Sequence, residues 1–464
     1  MQFTSVPFWG FMLLGFALHW AVPVKLRRFV DLALSICFYA AFGADMLVVL
    51  CAGCVLSYFG ALALSKTSKK WVLFLAVIAA LLPLCFFKYA PTAGFKIFYP
   101  IGISFYTFKI LSYLIEVWRK TLPAERSFIN YALYICIFPE ITSGPIQRPA
   151  SLLNQINAPA AFDAEKALDG GRIFIWGLFL KSAIADNLAF YVETAFVKTS
   201  LVIGPSVLIG MVLYSLQIYA DFAGYSYMAK GCMQLLGYDA PDNFKSPYFS
   251  KSIKEFWARW HITLSEFLRD YVYFPLGGSR CGMLRRCVNL AVTFFVSGLW
   301  HGTGLGFIVW GLLHGAYQII GVLTKNLRAA LWKMTHISEQ SAFAKIVKVL
   351  CTFALVTFAW VFFGASSYGH AIDLFAKIPD CFSLSPQTLK NALVMLGLTP
   401  AVLLRIVPCL ALMAGVDFFA RADGVSTWLG ARKTWLRCVI LYAAIFAILF
   451  IAPPSGGGFI YFEF

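Results

Sequence analysis

Apolar residues in this chain come in long runs with little charge, separated by short basic clusters, rather than in the narrow stripes of a soluble fold. A run of roughly 18 residues or more with few charges can cross a hydrocarbon slab. Five such runs open the chain, at roughly 3–24, 29–43, 46–64, 71–87 and 97–118, and two more fall at roughly 172–192 and 203–220. One climbs from Arg285 to His301, the next ends near Gly321, and three close the chain at roughly 345–364, 401–420 and 435–452. The pattern predicts an all-α polytopic membrane protein. About eleven transmembrane helices, with re-entrant or interfacial helices, would surround a central cavity. No soluble domain or repeat interrupts it, so residues 1–464 read as one integral membrane domain. It divides into N-terminal helices 1–118, a core 128–322 and C-terminal helices 345–464.

Four stretches break the rhythm. Phe138 to Pro149, FPEITSGPIQRP, places Pro139, Gly144, Pro145 and Pro149 in an apolar run, where irregular backbone needs protein or water to satisfy it. Asn154 to Asp169 is polar enough for an interfacial helix, and Ser366 to Thr399 reads as a loop with short interfacial helices. Ser252-x-x-Glu255 is a capping box that predicts a helix start. After it Phe256, Trp257, Trp260, Leu264, Phe267, Leu268 and Tyr271 recur on one side of an amphipathic helix that Pro275 ends.

Composition sharpens the class. The chain is 60% hydrophobic and 13% charged, far from the soluble average of about 25% charged. Its net charge of +16 does not make it a nucleic-acid binder, because Lys and Arg sit in short loops between the runs. By the positive-inside rule these are cytoplasmic loops. Lys25, Arg27 and Arg28 follow the first run, Lys66, Lys69 and Lys70 the third, and Arg119, Lys120 and Arg126 the fifth. The alternate loops hold only Asp45, or Lys88 and Lys96, which puts the N-terminus outside the cytoplasm. Met1 to Val24 lacks a basic n-region and reads as a retained span, not a signal peptide. Cys51-x-x-Cys54 lies within a run without a second pair, so packing is the expected role of both.

Ionisable residues inside apolar runs mark functional candidates. Lys109 and Glu116 share a helix face about 10 Å apart along the axis and are expected to line a wet cavity. Asp221, flanked by Tyr219, Phe222 and Tyr225, needs a partner or a polar cavity. His301 would stand about 24 Å up a straight helix from Arg285, deep in the slab. His261 follows Trp260 at the boundary of the amphipathic helix, and His314 lies one run later. The glycines 302, 304 and 306 lack the strand and the Lys of a phosphate loop and suit close packing or substrate approach. Three scattered histidines lack metal-ligand spacing, and no Gly-x-Ser-x-Gly elbow is present. A transporter or flippase would also explain charges lining a cavity, although the chain shows no duplicated halves.

FWARWHITLSEFLRDYVYFPLGG, from Phe256, and GLWHGTG, around Trp300 and His301, resemble the membrane-bound O-acyltransferases nearly residue for residue. The similarity is to the bacterial branch that O-acetylates alginate and peptidoglycan, and it extends over nearly the whole chain. Phe138 to Pro149, Asn243-Phe244, Pro247-Tyr248 and the ending GGGFIYFEF also resemble that family. Where its pattern has a second acid after Asp221, this chain has Tyr227.

The resemblance implies an O-acetyltransferase of the bacterial inner membrane with no bound cofactor. The donor would be acetyl-CoA or another acyl thioester, on CoA or on an acyl carrier, supplied from the cytoplasm. An extracytoplasmic acetyltransferase or carrier would pass the group to a polysaccharide or peptidoglycan. D-alanyl, lipid or protein acylation remain alternatives within the family. His301 would be the general base on the acceptor hydroxyl, a role suited to a side chain that exchanges protons near neutrality. His261 would polarise the thioester carbonyl or orient the acceptor. Asp221, Asn243, Arg259, Trp260, Trp300 and His314 complete the candidate substrate contacts.

Overall fold

The computed structural model describes residues 1–197, 202–383, 385–453, 458 and 460, which are helical with connecting turns and contain no strand. Seven helices are long and apolar enough to cross a bilayer: Ala44–Ser65, Lys70–Ala93, Ala164–Val197, Gly204–Leu235, Leu305–Leu323, Ala342–Gly364 and Pro400–Ala420. Val6–Ala21 and Thr434–Phe450 are apolar but shorter. Ile103–Trp118 has 16 residues, and Met283–His301 carries Arg285 and Arg286 in its first turn. Two of the helices exceed 30 residues because they continue through an expected boundary. Asp163, for example, caps the helix at Ala164 through its side chain, which accepts from the N–H groups of Glu165 and Lys166. The polar stretch expected as one interfacial helix, Asn154 to Asp169, is therefore divided: its start ends the short helix Pro149–Asn157, and from Ala164 it is the beginning of the long helix.

The chain forms two compact units. The first comprises residues 1–177 and 225–242. Pro23 ends its first helix, and the next restarts at once over Val24–Ala40. The expected basic loop is therefore helix. Arg27 is buried there, with its guanidinium 4.4 Å from the Trp20 ring centre and donating to the Ala160 carbonyl at 2.9 Å. Lys88 likewise lies in a helix end and is buried, not in a free loop. Ile103–Trp118 is buried over nearly its whole length. Its Lys109 donates to Glu140 at 2.9 Å, and both side chains are almost inaccessible. The wet cavity expected at Lys109 is thus a buried ion pair with the irregular Phe138–Ile141 turn. Gly102, at φ 75°, lets the backbone pass against the Ile141 carbonyl, where any Cβ would collide.

The second unit comprises residues 178–224 and 243–464. Its centre is a hairpin of Met283–His301 and Leu305–Leu323. Gly298 and Gly311 make the close approach possible, since a Cβ on Gly311 would strike the Phe294 carbonyl. Gly302 sits under the Phe307 ring, so here the glycine repeat serves packing. Trp310 and Trp360 lie nearly parallel with ring centres 5.6 Å apart, tying the hairpin to Ala342–Gly364. This packing fixes the end of the helix that carries His301.

Candidate active site

The helix that starts at Ser252 is capped as its sequence predicts. The Ser252 hydroxyl accepts from the Glu255 N–H at 3.1 Å, while the Glu255 carboxylate accepts from the Lys251 N–H at 2.8 Å. It does not run on to Tyr271. It stops at Trp257 and resumes over Ile262–Leu268, and His261 between the two takes a left-handed conformation, φ 42° and ψ 55°. The cause is distant in sequence. The Lys245 N–H donates to the Arg259 carbonyl and the Ile262 N–H to the Asn243 carbonyl, both at 3.0 Å, and together they hold the turn open. Left-handed backbone costs a non-glycine residue about 1–3 kcal/mol and persists only where the surroundings impose it.

Those surroundings also set the chemistry of His261. The Asn243 side-chain oxygen accepts from the Thr263 hydroxyl at 2.7 Å and from the Thr263 N–H at 3.3 Å. A backbone N–H can only donate, so that atom is the amide oxygen, not the nitrogen. The same oxygen lies 3.3 Å from His261 Nδ1, which must therefore carry the proton and donate it. Burial holds the His261 imidazole well down, at about 3, so it is neutral with its lone pair on Nε2.

Trp300 contacts both leading candidates. Its ring centre is 6.1 Å from that of His261 and 4.6 Å from that of His301. His301, the last residue of its helix, is 5% exposed and also packs on Trp310 and Phe363. Phe222 also packs on His261, edge-on at 4.7 Å. The result is a pair of imidazoles in an aromatic wall, both buried.

The remaining candidates divide. His314 accepts at Nδ1 from the Trp257 indole N–H at 3.2 Å and lies among Phe256, Phe294 and Trp310, so its proton is on Nε2. Trp260 is buried among Phe244, Tyr219 and Trp360, which makes it a wall of the site. Arg259 is occupied by Glu255 at 2.9 Å and by the Lys245 and Arg421 carbonyls. Asp221 does find the partner it needs: Lys181 Nζ at 2.7 Å, which also meets Asp186 at 2.7 Å. The Ile460 N–H donates to Asp221 at 2.8 Å, and Lys181 donates to the Gly458 carbonyl at 2.9 Å. Sequence reading passed over Lys181, although a lysine inside an apolar run was a visible signal. It also missed Asp417, buried on Pro400–Ala420, which accepts from the Ser246 hydroxyl at 3.3 Å. A π-helical turn over Phe179–Ala185 carries Lys181 to its two acids.

Comparison with known proteins agrees with the sequence motifs. The profile of the membrane-bound O-acyltransferase family matches residues 33–368. A protein of Pseudomonas putida named a probable alginate O-acetylase is 32% identical, over all of this chain and all of its own length. A peptidoglycan O-acetyltransferase of Helicobacter pylori is 32% identical over 80% of this chain and 77% of its own. A teichoic acid D-alanyltransferase of Bacillus subtilis is 26% identical over 66% of this chain and 80% of its own. The profile takes in the whole aromatic wall up to Trp360 and both imidazoles it encloses, so this multi-pass membrane protein belongs to the membrane-bound O-acyltransferase family.

Proposed function

We propose that the protein is an O-acetyltransferase that takes an acetyl group from a cytoplasmic thioester, acetyl-CoA or an acyl carrier, and delivers it across the membrane. The final acceptor is an exported polysaccharide or peptidoglycan, reached directly or through an extracytoplasmic acetyltransferase. The observation that carries this reading is that His261 and His301 both pack, buried, against the Trp300 ring. The full-length similarity to the alginate O-acetylase supports acetyl over D-alanyl transfer, for which the matched length and identity are lower.

In the reaction, the acceptor hydroxyl oxygen attacks the thioester carbonyl carbon while His301 takes the hydroxyl proton. The tetrahedral intermediate collapses, the C–S bond breaks, and the proton on His301 passes to the leaving sulfur. Of the two roles open to His261, its tautomer supports orienting the acceptor, because a lone pair on Nε2 accepts from a second, non-reacting hydroxyl of the acceptor and cannot polarise a carbonyl. Trp300 and Trp260 wall the site, and His314 braces Trp257 behind it. Arg285 and Arg286 at the start of the His301 helix suit an anionic donor approaching from the cytoplasm.

The test is consumption of labelled acetyl-CoA by purified protein with its acceptor. General-base catalysis contributes ~10²–10⁴-fold, so His301→Ala should lose about that much. His301→Gln keeps a hydrogen-bonding group but cannot cycle a proton, and should be nearly as slow. Wild-type turnover by His301→Gln would remove the base assignment, and a wild type that moves substrate without consuming thioester would favour a transporter.

A further inference from the structure

Asn243 has a second role available besides contacting substrate. Its side-chain oxygen is shared among three donors: His261 Nδ1–H, the Thr263 N–H and the Thr263 hydroxyl. Its own carbonyl fixes Ile262, the residue after the strained His261. One residue therefore holds both the backbone and the ring of the histidine. The loop that carries it is anchored at its far end, where Ser246, itself left-handed at φ 47°, donates to Asp417.

We infer that Asn243 is a positioning residue for acyl transfer: it locks His261 in the Nδ1–H tautomer and so offers the Nε2 lone pair to a second hydroxyl of the acceptor, beside the one whose proton His301 takes. The inference rests on the O-acetyltransferase reading for its catalytic consequence, but the tautomer itself does not. An imidazole released from Asn243 can place its proton on either nitrogen and can turn about its χ2 axis. Either change presents a donor where an acceptor is needed. Two titratable groups adjoin the ring contacts of His261: Asp221, next to Phe222 and bound by Lys181, and His301, next to Trp300. Arg259, two residues earlier on its own turn, is paired with Glu255.

Three variants separate positioning from bracing. Asn243→Ala should lower turnover on the order of 10²-fold, the scale of a lost general acid–base arrangement, with the donor KM little changed. Asn243→Asp retains an acceptor at the same place, so turnover near pH 8 should return toward wild type. Its negative charge favours the imidazolium, so the His261 pKa rises and activity falls as pH drops through the new value. The wild type should show only the limb set by His301 as base, so the variant gains a second one. Thr263→Val removes one competing donor while leaving the Asn243–His261 bond, and should keep the wild-type profile.

Nitrogen-15 spectra of histidine-labelled protein in detergent, with His261→Gln assigning the signal, read the tautomer without any activity. Wild type and Thr263→Val should show the protonated Nδ1, and Asn243→Ala should lose it. An unchanged His261 signal in Asn243→Ala, or identical pH profiles for Asn243→Asp and wild type, overturns the proposal. If no variant or wild type consumes acetyl-CoA, the proposed reaction fails, while the spectra still decide whether Asn243 sets the tautomer.

Discussion

Removing the Lys109 ammonium would strand Glu140, a carboxylate with almost no exposure whose ionic partner lies 2.9 Å away. Breaking such a buried pair by deleting one member costs about 3–5 kcal/mol, whereas replacing both with apolar residues of similar size is often neutral. Lys109→Met should therefore lower the unfolding temperature of the solubilised protein sharply, and Lys109→Met with Glu140→Met should recover most of the loss. Equal unfolding temperatures for the single and double variants would show that the pair does not act as a unit. At this scale the sequence was partly legible. A buried Asp221 had to have a partner, but Lys181 lies 40 positions away and no local pattern joins them. Nor did helical periodicity join Lys109 to Glu140, because the irregular turn after Phe138 brings them together.

Elements follow their local signals until another segment intervenes. The capping box at Ser252 starts its helix where expected, yet periodicity continues through His261 and gives no hint of the break. The bonds from Lys245 and Ile262 that open the turn arise from pairing with a loop some 14 to 19 residues earlier. The hairpin is the opposite case, because its glycines announce close packing and the structure uses them so. Gly311→Leu would drive a branched side chain into the Phe294 backbone and push His301's helix away from Trp310. Overpacking of this kind typically costs about 1–3 kcal/mol. The variant should insert into the membrane but lose transfer activity along with several degrees of thermal stability, measured by fluorescence of the solubilised protein. Full activity with Leu at 311 would show that the spacing of the two helices is not critical.

Across the whole chain, class was plain from the length and low charge of the apolar runs, since runs of about 20 residues suit spanning helices, whereas spanning strands need only about 9–11. Individual spans were less plain, because buried charges such as Arg27, Asp31 and Lys88 make membrane helices look like loops. The basic cluster around Lys66 and Lys69 does lie between two spanning helices and is exposed, so it remains the firmest marker of sidedness. In a cysteine-free background, a cysteine at Lys69 should react from the cytoplasmic side and one at Lys96 from the opposite side. Reversed labelling of both would invert the arrangement and put Arg285, the proposed donor entrance, on the extracytoplasmic face.

The left-handed turn at residue 261 has a consequence for anyone engineering this protein. Libraries screened only for heat resistance reward glycine or asparagine wherever φ is positive, because those residues relieve the backbone at little cost. Such a screen would tend to discard the very imidazole that Asn243 and Trp300 hold in place. If His261 acts as proposed, a thermostabilised scaffold for imaging or inhibitor discovery has to be selected with position 261 held constant.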